Sequence, residues 1–187
     1  MADARCLGCV FFSRVSPEKG ADVVLGAARR LPDVDFAFYG QIDEDYRQRF
    51  EQEVGSLGNV AYKGVFDSAQ DDPVSELCGY DLHLFPSRWP NEGIPGVLVE
   101  TKMAAVPSIV SDICYNAELV KDGVEGIVLR ECGAEALVAA IEELEDDPQT
   151  LDELKAGALA SSERFCIDRY IDLLVADLAE ASKEVCS

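Results

Sequence analysis

The sequence predicts a single doubly wound α/β domain on a parallel sheet, and three observations carry that prediction. Short apolar runs of about four to seven residues alternate along the chain with amphipathic stretches of about ten or more. No internal repeat, low-complexity tract or linker interrupts the alternation. A length of 187 residues with 48% hydrophobic and 8% aromatic content is enough for one good-sized core. Strands alternating with helices in this way form right-handed βαβ units, so the strands run parallel.

The elements follow in order. Residues 7–13 are a short apolar strand, and residues 20–31 place Val24, Ala27, Ala28 and Leu31 at helical spacing. D-F-A-F-Y at 35–39 reads as a buried strand closed by Gly40, and 43–54 as a charged helix with Tyr46, Phe50 and Val54 on one face. A strand at 59–63 and a polar loop lead to a helix over 72–79, then to a strand at 82–85 that stops at Pro86. A helix over 96–105, a strand at 108–110, a short helix at 116–121 and a strand at 126–129 complete the sheet. Leu137, Ala140, Ile141 and Leu144 mark a helix over 134–145, which Asp146-Asp147-Pro148 ends. Two more helices are expected, over 151–160 and 168–183.

Composition excludes several functions. A formal charge of −20, from 36 acidic and 16 basic residues, argues against a general nucleic-acid surface, which needs clustered Lys and Arg. No apolar run approaches the roughly 18 residues that span a bilayer, and the N-terminus lacks the layout of a signal peptide. The cytoplasm is therefore the expected compartment. The seven cysteines are scattered, and only Cys6 and Cys9 have C-x-x-C spacing. With no second pair and His83 as the single histidine, a zinc site lacks its other ligands, and free thiols are expected.

Doubly wound sheets bind ligands at the carboxyl ends of their strands, where the helices begin. Residues 14–19 and 88–95 lie in that position. In the first loop Arg14 and Lys19 either converge on one diphosphate, Arg by its planar fork and Lys as a point charge, or are solvated loop charges. The chain contains no G-x-G-x-x-G and no G-x-x-x-x-G-K-[ST]. The second loop lies in P-S-R-W-P-N-E-G-I-P-G-V-L-V-E-T-K-M-A-A-V-P, residues 86–107, which sets Glu92 and Glu100 eight positions apart around a Gly/Pro-rich turn. The helix that opens there offers unpaired N–H groups and a positive dipole end, which suit a phosphate. A carboxylate within that helix suits neutral hydroxyls beside the phosphate. Together these features describe a nucleotide-sugar site, while a helix-start carboxylate remains the structural alternative for Glu92. His83, within D-L-H-L-F, is expected to be a packed strand residue, and Trp89 either covers a pocket or packs.

R-V-S-P-E-K-G (14–20), D-L-H-L-F-P-S (81–87), the E-x7-E segment, V-P-S-I-V-S-D (106–112) and A-E-L-V-K-D-G-V-E-G (117–126) occur in this order. That set resembles the nucleotide-sugar-binding, Rossmann-like C-terminal half of retaining glycosyltransferases of GT-B architecture, in particular glycosyltransferase family 4. The resemblance runs from about Phe11 to the C-terminus. It implies that Arg14 and Lys19 hold the donor diphosphate and stabilise it as it leaves, and that Glu92 lies beside the donor sugar. It implies further that amides of Gly93, Ile94, Gly96 and Val97 meet sugar and phosphates, and that Glu100 accepts from the ribose hydroxyls. The backbone at Val65 and Phe66 would face the base. Glu118 matches a recurrent family glutamate, although a helix cap or surface role explains it equally well. No metal or further cofactor is implied; the nucleoside-diphosphate sugar is the donor substrate.

The sequence departs from the family pattern at Ser13 and Ala105, where glycine is common, and at Lys102, where the helix is normally apolar. The resemblance also implies a second, acceptor-binding N-terminal domain of roughly 150–200 residues. Residues 1–187 are read as the donor half alone, with 165–187 as a C-terminal helix that would pack toward the other half, in cis or supplied in trans. Transfer would then require that domain. The alternative is a catalytically inactive binding or interaction module on the same fold, for which the charge of −20 and the unpaired last helix speak. An epimerase or phosphorylase on this architecture is the weaker third reading.

Overall fold

The computed structural model describes residues 7–185, so Cys6, and with it the C-x-x-C spacing, lies outside the described residues. The strands are β1 (Gly8–Phe12), β2 (Asp35–Tyr39), β3 (Val60–Gly64), β4 (Leu82–Phe85), β5 (Ser108–Ser111) and β6 (Gly126–Leu129). The helices are α1 (Ala21–Ala28), α2 (Glu44–Gly55), α3 (Pro73–Leu77), α4 (Gly96–Met103), α5 (Asn116–Leu119), α6 (Ala134–Asp146), α7 (Pro148–Ser161) and α8 (Ile167–Val185). All six strands pair in parallel in the order β3-β2-β1-β4-β5-β6. The winding reverses between β1 and β4, where Cys9 pairs with Leu82 and Val10 with His83. A crevice therefore opens at the carboxyl ends of these two strands.

Alternation along β1 separates the two cores. Phe11 joins Val24, Phe38, Phe50 and Ile141 under α1, α2 and α6, while Val10 joins Ala37, Tyr39, Leu77 and Val106 on the α3 side. Central strands β4 and β5 are buried along their whole length, which is why they read as continuous apolar runs, whereas edge strand β3 exposes Ala61, Tyr62 and Lys63.

Most element limits shift by one to three residues from the sequence reading, and the region from α6 to α8 differs in kind. Asp147 and Pro148 do end α6, but they also start α7, three residues earlier than expected. The Asp147 carboxylate accepts from the Thr150 N–H and hydroxyl, and proline at the first helical position has no N–H to satisfy. A 3₁₀ turn at Ser162–Phe165, which the sequence reading did not include, then joins α7 to α8.

Each sequence departure from the family pattern has a local explanation. Lys102 is buried, and its Nζ lies 2.7 Å from Glu125 Oε2, which also accepts from Arg164 Nη2 at 2.9 Å. Burial pushes the Lys102 ammonium below its ordinary value, while Glu125 holds the charge in place. Ala105 takes a left-handed φ of 56° just after α4, the conformation that explains glycine's frequency there. At Ser13 the close approach comes from the neighbouring strand instead, since a Cβ on Gly40 would sit 1.9 Å from the Ser13 carbonyl oxygen.

His83 is a packed residue, as expected. It is fully buried beside Phe85, with Nδ1 3.0 Å from Ser108 Oγ and Nε2 without a partner. Burial lowers its pKa from 6.5 to about 3. Below pH 6.5 the unfolded chain takes up a proton at this residue and the folded chain does not, so stability falls as pH drops from 6.5 toward 3. The limiting slope is about 1.4 kcal/mol per pH unit. Denaturant titrations of wild type and His83→Leu between pH 7 and pH 4 are expected to show a steeper loss in the wild type by about one proton; parallel curves contradict the assignment.

Candidate active site

The β1–α1 loop begins as an extension of the sheet. Ser13 N donates to Tyr39 O at 3.1 Å and Val15 N to Gln41 O at 2.8 Å, so Val15 and Ser16 are buried while Arg14 points outward. The Arg14 guanidinium lies 5.7 Å from the centroid of the Trp89 ring and 3.7 Å from Asp43. Trp89 is half-buried in this contact and acts as a packing partner for the cation. Ser16 Oγ accepts from Lys19 N, and the loop closes on Gly20, whose φ of +84° starts α1.

The β4–α4 loop lies directly against it. A Cβ on Gly20 would fall 2.1 Å from the Pro86 carbonyl oxygen, so only glycine permits this approach. Lys19 Nζ then reaches both carboxylate oxygens of Glu92 at 2.7 Å, and Ser87 Oγ donates to Glu92 Oε2 at 2.6 Å. Lys19 and Glu92 side chains are only 14% and 8% exposed, so the pair is largely desolvated. Two residues that the sequence separates by 73 positions are thus in direct contact.

Glu100 lies in the second turn of α4, half-buried, and among the described residues its carboxylate makes no hydrogen bond or ion pair. Burial, and secondarily the charge of Asp72, push its pKa above the ordinary value. Pro95 caps α4 without a side-chain bond, so the amides of Gly96 and Val97 in its first turn have no acceptor from the cap or from within the helix. Gly93 and Gly96 have open space where a Cβ would be, and Ile94 is exposed.

Phe66 packs on Phe12 and Tyr39, with centroids 5.1 and 6.3 Å apart. With Tyr39, Val65, Asp72, Ser75 and Glu76 it lines a cavity of about 420 Å³ at the carboxyl ends of β2 and β3. Asp72 belongs to this cavity and also acts on Glu100, which connects the Phe66 end of the site to the α4 end. Glu118 lies exposed in α5 and joins neither. Among the described residues no group of three His, Cys, Asp or Glu side chains is placed to hold a metal ion. Another cavity, of about 440 Å³, opens at the amino ends of the strands around Asp35, Asn59 and Asp81 and contains none of these residues.

Sequence reasoning missed Tyr39, Ser87 and Arg88. Tyr39 donates its hydroxyl to Glu76 beside Phe66, and the position of Tyr39 at a strand's carboxyl end was the available signal. Ser87 and Arg88 were inside the singled-out segment, but nothing in the spacing revealed that Ser87 holds Glu92 or that Arg88 reaches across to the first loop.

Comparison with known proteins agrees with the fold. The family model for glycosyl transferases group 1 matches residues 9–160. The chain belongs to that family. It is 30% identical over 160 residues to a phosphatidyl-myo-inositol mannosyltransferase of Mycolicibacterium smegmatis, covering 82% of this chain and 38% of that protein. The fold is that of Anabaena Alr3699/HepE, solved in complex with UDP, with a TM-score of 0.82 at 23% identity over 94% of this chain and 49% of that one. The solved C-terminal domain of a group 1 glycosyl transferase, LpcC of Francisella tularensis, aligns with a TM-score of 0.71 at 18% identity, covering 82% of this chain and 83% of that one. The chain spans between 32% and 40% of the length of the curated relatives it matches.

The loop contact is directly testable. Gly20→Ala adds a Cβ against the Pro86 carbonyl at an unfavourable φ and is expected to lower stability by about 2 kcal/mol or more in denaturant titrations. Gly93→Ala, with open space around its Cβ, is expected to change it by less than about 0.5 kcal/mol.

Proposed function

We propose that this chain is the donor-binding half of a retaining glycosyltransferase that takes a nucleoside-diphosphate sugar. The observation that carries the reading is the direct contact of Lys19 with Glu92 across the β1/β4 crevice, on the loop that leads into α4 and its unpaired Glu100 carboxylate. Among relatives, the reading is supported by group 1 membership and by the UDP bound in Anabaena Alr3699/HepE.

In this reading the diphosphate enters between the two loops and takes Lys19 from Glu92. Arg14 and the α4 amides of Gly96 and Val97 supply further positive potential, while Gly93 and Ile94 border the sugar. As the glycosidic bond to the diphosphate breaks, negative charge grows on the departing phosphate oxygens. Fixed cations and amides aimed there stabilise that charge more than the ground state. Glu92, released from Lys19 and still held by Ser87, is placed to accept hydrogen bonds from sugar hydroxyls. Glu100 accepts from the ribose, and the base lies by Phe66 in the 420 Å³ cavity.

The acceptor side of the reaction lies with a second domain, in cis or in trans, and transfer depends on it. The exposed apolar residues of α8, among them Ile167, Tyr170, Ile171, Leu174, Val175 and Leu178, form the face that packs against that domain. No helix among the described residues is long and apolar enough to cross a membrane. Cys78, Cys114, Cys132 and Cys166 are free thiols, which suits a reducing, cytoplasmic setting.

Calorimetric titration with a panel of UDP, GDP and ADP sugars tests the reading. One of the panel is expected to bind, and Glu100→Ala to weaken it at least about tenfold, since each hydrogen bond to a charged group contributes about 1.5–3 kcal/mol. Absence of binding by every member defeats the proposal, as does unchanged affinity in Glu100→Ala.

A further inference from the structure

The donor loops are joined through a few atoms, and Arg88 reaches the first loop through both its backbone and its side chain. Arg88 N donates to Glu18 O at 2.7 Å, joining the two loops backbone to backbone. Arg88 Nη2 donates to Pro17 O in the first loop and to Asp22 Oδ1 in α1, each at a nitrogen–oxygen distance of 2.5 Å. Asp22 lies in the first turn of α1, while Pro17 O also accepts from Gly20 N at 3.0 Å. Arg88 thus grips the loop both before and after Lys19. Its neighbours in sequence continue the join: Ser87 Oγ holds Glu92, and Trp89 carries Arg14.

We propose that Arg88 is a positioning residue that clamps the two donor loops in register and thereby sets where Lys19 meets the donor diphosphate. This inference rests on the donor-binding reading above. Arg88 itself does not touch the diphosphate; its guanidinium is already engaged by a carbonyl and a carboxylate. Both acceptors are met by the one nitrogen Nη2, which the planar guanidinium holds in a fixed orientation, whereas a lysine ammonium sits on a flexible stem with freely rotating donors. The clamp compensates for a weakness of the loop. Gly20, directly after Lys19, has no Cβ to restrict the backbone there, so an external tether helps keep the preceding ammonium in place.

The test is a double-mutant cycle read by binding of UDP, GDP and ADP, joined to hydrogen exchange of the free protein. Arg88→Ala is expected to weaken the preferred nucleoside diphosphate ten- to hundredfold in the wild-type background. In a Lys19→Ala background it should change affinity less than twofold, because there is no ammonium left to position. Arg88→Lys and Asp22→Asn, which each keep part of the clamp, are expected to fall between. In the absence of nucleotide, the amides of Lys19 and Gly20 should exchange at least tenfold faster in Arg88→Ala. Wild-type affinity in Arg88→Ala, an equal loss in the Lys19→Ala background, or unaltered exchange at Lys19 and Gly20 each overturns the proposal. If no nucleotide binds wild type, the donor reading falls, and the exchange arm alone still decides whether Arg88 clamps the loop.

Discussion

The approach of Gly20 to the Pro86 carbonyl is the constraint on which the site depends. A parallel sheet that reverses its winding between β1 and β4 sends the chain away from both strands at the same end, so two loops must share one space. Any Cβ at Gly20 would hold them apart. With glycine there, α1 starts close enough to β4 for Lys19 to reach Glu92, and the Arg88 guanidinium spans from one loop to the other. The helix beginning at Gly96 and the carboxylate of Glu100 are then oriented by the same loop that carries Glu92.

The electrostatics of the crevice follow from this crowding. Each cation at its rim has a carboxylate partner: Arg14 with Asp43, Lys19 with Glu92, and Arg88 with Asp22. In a chain with a formal charge of −20 this is how positive groups are kept at one place. A desolvated ion pair gains little net stability, because removing both charges from water offsets most of their attraction. Under the donor-binding proposal, exchange of Glu92 for a phosphate on Lys19 would therefore cost less than the short distances imply, with Ser87 still donating to Glu92. The two outer pairs are more exposed, and solvent screening makes them correspondingly weaker.

Much of this was legible in the sequence because the signals were local. Strands β2, β4 and β6 were predicted at their observed limits, since apolar runs mark them, with Gly40 closing β2, Pro86 closing β4 and Gly126 opening β6. The α6–α7 junction was half legible: Pro148 reveals a stop, but its second role with Asp147 as a helix start depends on which direction the chain takes next. Lys102 stood out as a polar residue at an apolar position, yet its partner Glu125 is 23 residues away and is found only once β5 and β6 are paired. The site shows the same division. Motif spacing placed Lys19, Glu92 and Glu100 as candidates, whereas the Lys19–Glu92 contact and the reach of Arg88 span 66 to 73 residues and exist only through strand order.

The most direct measurement is a crystal structure of the protein with the tightest-binding nucleoside diphosphate. The diphosphate is expected between the two loops, with Lys19 Nζ transferred from Glu92 to a phosphate oxygen, Glu100 on the ribose hydroxyls and the base beside Phe66. A nucleotide bound elsewhere, such as in the cavity at the amino ends of the strands, with the Lys19–Glu92 pair intact, would contradict it.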